Sequence, residues 1–156
     1  MTIGSIRDRY DYLKKTYNLP DFEKLDLEFE LNTIDRDDFL LSDIRKKMME
    51  KIEFFCDIIE SSLQPDTSSL ASMHECKFLE DEEKEKLYKL YKRLMFLNKS
   101  AILLGINSTD KDELVFINII LKEMPEVKRK ILSFVNKVKE NWRNGSDIKE
   151  EIGYLG

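Results

Sequence analysis

Apolar positions recur along this chain at steps of three and four, the spacing of one face of an α-helix. Ile6, Tyr10, Leu13 and Tyr17 step by 4, 3 and 4, which predicts a helix over 5–18 with Ser5 as N-cap and Asn18 and Pro20 as its stop. Leu25, Leu27, Phe29 and Leu31 alternate as a strand would, but a lone strand has no pairing partner here. The stretch is therefore read as a short helix over 21–29 that runs into an extended connector. Leu40, Ile44, Met48, Ile52, Phe55, Ile59 and Leu63 step by 4, 4, 4, 3, 4 and 4 ahead of Pro65, predicting a first long helix over 37–63. Acids crowd its start, as the helix dipole favours.

Residues 64–79 form the main break, a 16-residue connector with a short helical turn expected near Leu70 to Glu75. Beyond it, Leu87, Leu90, Leu94, Leu97, Ala101 and Leu104 step by 3, 4, 3, 4 and 3, a heptad seam on a second long helix over 80–104. Met95, Phe96, Ile102 and Leu103 make its second half apolar nearly all round. That pattern predicts a central helix covered on most sides, with Gly105 as the residue that closes it. Asp110 and Glu113 resemble a capping box and open a helix over 110–124. Pro125 suits the first turn of a new helix, and Val127, Ile131, Phe134, Val135, Val138 and Trp142 carry that one over 126–143.

The predicted fold is all-α: a helical bundle of about four core helices near 37–63, 80–104, 110–124 and 126–143, with the shorter N-terminal helices packed across it. Residues 1–145 are expected to form a single helical domain and 146–156 a flexible tail. Composition agrees. Leu, Lys and Glu number 20, 19 and 17 against 4 Val, a helix-forming balance. Leu, Ile, Val and Phe make up 48 of 156 residues, ample for a core without disulfides or metal. Alanines stand only at 71 and 101, so large side chains must fill the helix interfaces.

No apolar run approaches the 20 or so residues of a membrane span. The two cysteines, Cys56 and Cys76, are too few for a disulfide framework, and the first residues carry no secretory or myristoylation signal. A cytoplasmic location is expected. Net charge is −5, a weak argument against a dedicated nucleic-acid binder. Its distribution says more: residues 21–43 carry nine acids against two bases, and residues 122–143 carry seven bases against three acids.

The catalytic constellations expected of helical proteins are missing residue by residue. His74 is the only histidine, so a di-iron bundle, which needs Glu-x-x-His twice, is excluded. Helical nucleases with Arg-x4–6-His need an Arg where Thr67, Ser68 and Ser69 stand. The Asp81-Glu82-x-x-Glu85 cluster only partly matches a magnesium-binding pyrophosphatase pattern and reads as an acidic helix start. His74-Glu75-Cys76 is too small a set for a zinc site, which needs four ligands, and lacks an orienting third group for a nucleophile. No glycine-rich phosphate loop occurs. No cofactor and no metal are expected.

Two candidate surfaces remain. The 64–79 connector offers Met73, His74, Phe78 and Leu79 as partner-binding residues, since function concentrates in loops on a rigid scaffold. The last helix offers Lys128, Arg129, Lys130, Lys137, Lys139 and Arg143 for phosphates, with Trp142 placed to stack on a base. Charge runs more often solvate an outer face, and Trp142 is in register with the apolar stripe. The expectation is a non-catalytic protein-interaction or assembly subunit, self-association included, supported by the large apolar residues crowded into 21–41. The alternative is a small helical subunit of a nucleic-acid-handling complex.

Overall fold

The computed structural model describes residues 3–36 and 38–144; the expected tail at 146–156 and Asp37 lie outside them. The protein is all-α. Its elements are α1 (Ile3–Tyr17), α2 (Phe22–Phe29), a 3-10 turn (Leu31–Thr33), α3 (Leu40–Leu63), α4 (Leu70–Phe78), α5 (Asp81–Ile106) and α6 (Asp110–Asn144). No helix among the described residues is long and apolar enough to cross a membrane. The chain divides into two compact units. Unit 1 is Met1–Phe54 with Phe96–Lys122, and unit 2 is Phe55–Met95 with Glu123–Gly156.

In unit 1, α1 buries Ile6, Tyr10 and Leu13 and ends on Asn18, whose φ of 55° lets its N–H reach the Lys14 carbonyl at 2.8 Å. The helix already begins at Ile3, so Ser5 lies inside its first turn and is not the N-cap that was expected. The Tyr10 ring meets Phe22 of α2 edge-on at 5.4 Å, and its hydroxyl donates to the Pro20 carbonyl at 2.6 Å. In α2 the helical reading of the alternating leucines holds: Leu25 and Phe29, four apart, are buried, while Leu27 is 90% exposed. The connector that follows opens on a 3-10 turn before becoming extended at Ile34; Glu30 turns left-handed before it, and the Asp26 carboxylate accepts from the Asn32 backbone and side chain.

Burial of the Tyr10 phenol, with Asp21 and Asp11 adding to it, raises its pKa well above the ordinary value near 10. The unfolded chain then loses its phenolic proton first as pH rises, so stability falls from about pH 10 upward. Tyr10→Phe is expected to cost about 1 kcal/mol at neutral pH and to flatten that alkaline decline, as chemical denaturation from pH 8 to 11 would read.

The predicted stripe of α3 is buried from Leu40 to Ile59, with Leu63 half-buried, although the helix starts at Leu40 rather than 37. Its seam on α5 is likewise buried at Leu87, Leu90, Leu94, Leu97 and Ala101. Three expectations fail further on. Gly105 does not close α5; it sits inside the last turn, with no left-handed φ, and the Asn107 N–H caps the Leu103 carbonyl. The far side of α5 is not covered: Phe96, Leu103 and Ile106 are 61%, 67% and 77% exposed. Pro125 does not start a helix, because 110–124 and 126–143 form one 35-residue helix with Pro125 inside it. The buried residues Ile117, Ile120, Met124, Val127, Ile131 and Phe134 step by 3, 4, 3, 4 and 3 across the proline, so one continuous buried face outweighs one missing backbone donor.

The start of α6 is shifted too. Thr109 and Asp112 cap it reciprocally, Asp112 Oδ2 accepting from the Thr109 N–H at 3.0 Å and Thr109 Oγ1 from the Asp112 N–H at 3.2 Å. Glu113 is thereby released from capping, and it turns inward.

Candidate functional site

In unit 2 the helical turn expected near Leu70 to Glu75 within the 64–79 connector is present and longer, as the helix α4 over Leu70–Phe78. Ser69 caps it by accepting from the Ser72 N–H at 3.2 Å, and the Ser72 hydroxyl donates to the Ser61 carbonyl at 2.8 Å. Ser-Ser-Leu at 68–70 is the cap signal that a composition-based reading of the connector passes over. The candidate partner-binding residues go inward: Leu79 and His74 are buried, and Met73 and Phe78 are half-buried. Leu79 and His74 are thus not available as exposed anchors; α4 turns Ser72 and His74 inward, and Leu79 follows its last turn into the interior. His74 Nε2 lies 2.7 Å from Asn141 Oδ1, which can only accept, so that nitrogen carries the hydrogen. The imidazole ring packs against Trp142 at 4.3 Å, and the Trp142 indole N–H donates to Glu75 Oε1 at 2.8 Å. The only histidine and the only tryptophan therefore fasten α4 to the end of α6. No group of three or more His, Cys, Asp or Glu side chains suited to a metal ion occurs among the described residues.

The basic residues of α6 divide. Arg129, Lys130 and Lys137 line a groove of about 530 Å³ together with Lys86 and Lys89 of α5, over a floor that includes Leu87, Leu90 and Phe134. Lys128 is half-buried, and neither it nor Lys139 nor Arg143 lines this groove. Most of the converging charges already face an acid. Arg129 binds Glu126 through two donors at 2.9 and 2.6 Å and holds that carboxyl below the usual range; Lys137 reaches Glu83 at 2.5 Å, and Lys86 reaches Glu82 at 3.3 Å. Exposed pairs of this kind contribute little and exchange readily.

Unit 1 holds the feature that sequence reasoning missed. Arg45 of α3 and Glu113 of α6 form an ion pair whose side chains are 6% and 2% exposed. Arg45 Nε donates to Glu113 Oε2 at 2.8 Å and Nη1 to the Ala101 carbonyl of α5 at 3.2 Å. The hydroxyls of Ser42 and Ser108 each donate to Glu113 Oε1 at 3.0 Å. The guanidinium reaches the α5 backbone because Ala101 and Gly105, four apart, leave a notch in that helix; a Cβ built on Gly105 would lie 3.6 Å from Nη1. A signal was present: Arg45 stands in phase with Leu41, Met48 and Ile52, and Glu113 in phase with Ile117, Ile120 and Met124. Opposite charges on two apolar stripes mark a buried pair.

The outer side of α5 in unit 1 forms a second seam. Phe96, Lys99, Leu103 and Ile106 step by 3, 4 and 3, with Ile102 beside them, and each of the four apolar residues is more than two-fifths exposed. Comparison with protein-family models, with characterised proteins and with solved structures returned no match.

Proposed function

We propose that this protein is a non-catalytic protein-interaction or assembly subunit that docks a partner helix on the outer seam of α5. The observation that carries this reading is the exposure of Phe96, Leu103 and Ile106 on one line of α5 that Lys99 completes at coiled-coil spacing, with Ile102 exposed beside it. Covering a fully exposed side chain of this size is worth about 1.5–3 kcal/mol, so the exposed parts of these residues favour association, and clustered exposed apolar residues mark interaction sites. A helix with its own apolar heptad seam fits, and a second copy of this chain meets that description.

Sedimentation velocity over a hundredfold concentration range, paired with capture and mass spectrometry of bound proteins, tests it. Association, or a retained helical partner, is expected for the unaltered chain and should be lost in Leu103→Glu, which keeps its circular dichroism because Leu103 is 67% exposed. A strictly monomeric chain that retains the same proteins with and without the substitution would refute it.

The groove between α5 and α6 in unit 2 supports a second reading, a subunit that binds nucleic-acid phosphates. Five basic side chains line one concavity there. Binding of single- or double-stranded nucleic acid that falls steeply with salt and is abolished by the combined Lys128→Glu, Arg129→Glu and Lys130→Glu changes would favour it; no binding at low salt removes it.

A further inference from the structure

We propose that the recess over Arg45 in unit 1 is a binding site for a small organic carboxylate, a single negative charge carried on an apolar body. The recess, about 320 Å³, lies where the end of α5 and the turn after it face α3, and Arg45 is its buried element. That volume is at the lower end of small-molecule sites.

Three observations select the ligand. The first is an unused donor. Arg45 spends Nε on Glu113 and Nη1 on the Ala101 carbonyl, whereas Nη2 makes no hydrogen bond among the described residues. Its edge faces Gly105, which has no side chain to cover it: a Cβ there would come within 3.6 Å of Nη1 and 4.0 Å of Nη2. A guanidinium held this rigidly in a low-dielectric setting presents its remaining N–H groups in the plane a carboxylate prefers.

The second is charge. Glu113 balances Arg45, and Asp43 sits 3.4 Å from Lys46, so those pairs cancel. Arg36, also in the lining, makes no ion pair among the described residues. The recess therefore carries one uncompensated positive charge, which suits a monoanion better than a phosphate dianion. The hydroxyls of Ser42 and Ser108 already donate to Glu113, so the donors a tetrahedral oxyanion would need are taken.

The third is the wall. Phe39, Leu104 and Ile106 line the same recess, and Phe39 and Ile106 are largely exposed. An apolar body joined to the carboxylate would cover them, and the head would meet Arg45 and Arg36. A free fatty-type acid and the terminal carboxylate of a peptide share this chemistry.

Isothermal titration of the full chain with hexanoate, N-acetyl-leucine, hexanamide and inorganic phosphate separates the cases. Hexanoate or N-acetyl-leucine is expected to bind with a Kd below about 1 mM, the one indicating a free acid and the other a chain terminus, and hexanamide at least tenfold more weakly. In Gly105→Ala the new methyl makes ordinary contact with the guanidinium and closes its open edge. Gly105 lies in a helix with no left-handed φ, so this variant should melt a few degrees higher, as alanine improves a helix, yet lose at least tenfold in affinity. Arg36→Gln should lose about as much without a change in fold, and Leu103→Glu should bind normally, which keeps this test separate from that of the α5 seam. The proposal is overturned if no carboxylate binds at 10 mM, if hexanamide binds as well as hexanoate, if phosphate alone binds, or if Gly105→Ala and Arg36→Gln both retain full affinity.

Discussion

Glu113→Ala is expected to cost about 3–5 kcal/mol, as removal of one partner of a buried ion pair does. The substitution leaves Arg45 with a charge and an Nε–H in a position where its side chain is only 6% exposed, and leaves Ser42 and Ser108 without their acceptor. Against a total stability on the order of 5–15 kcal/mol, that is a large share, and the melting temperature should drop by about 10 °C. The cost comes from stranding the cation, not from any great net strength of the pair. The double substitution Arg45→Met with Glu113→Leu should therefore recover most of the loss, because well-packed apolar residues replace such pairs at little or no cost. Urea denaturation of the three proteins checks both halves. A loss under 1 kcal/mol for Glu113→Ala would show that water relaxes into the site.

Pro125→Ala is expected to act in the opposite direction, adding about 2–3 kcal/mol. Proline within a helix costs about 3 kcal/mol relative to alanine, because it lacks a backbone N–H for the carbonyl four residues back and its ring crowds that carbonyl. Here the carbonyl is that of Leu121, and Pro125 itself is exposed, so the substitution removes no buried contact. Thermal unfolding should move up by roughly 5–10 °C. A decrease would mean that the local backbone shape imposed by the proline is itself needed.

Most of the fold could be read from periodicity, and the failures share one cause. The stripes of α3 and α5 were correct because seven and six apolar residues in strict phase outvote any local signal. At Pro125, Gly105 and Glu113, a single residue with a strong local preference was allowed to set a boundary, although the apolar register ran on past it in α6 and α5. Glu113 shows the loss most clearly: read as a cap, it no longer counts among the residues in phase with Ile117 and Ile120, and its burial against Arg45 stays hidden. The connector failed differently. Residues 64–79 offer Leu79 and His74 to a partner only if the segment stays a surface connector, whereas the Ser69 cap extends its helical turn to Phe78 and both side chains are buried. The exposed side of α5 was legible as apolar, but periodicity alone does not say whether such a side meets the rest of the chain or the solvent.

That helix has two ways to roll about its axis, each turning a line of large apolar residues toward its neighbours. The inner line is free of charge at all six positions from Leu87 to Leu104, while the outer one, followed over the same length, carries Lys89, Lys92 and Lys99. Turning α5 over would drive three ammonium groups into the interior, so these lysines penalise that orientation and favour the one in which Leu103 and Ile106 face outward.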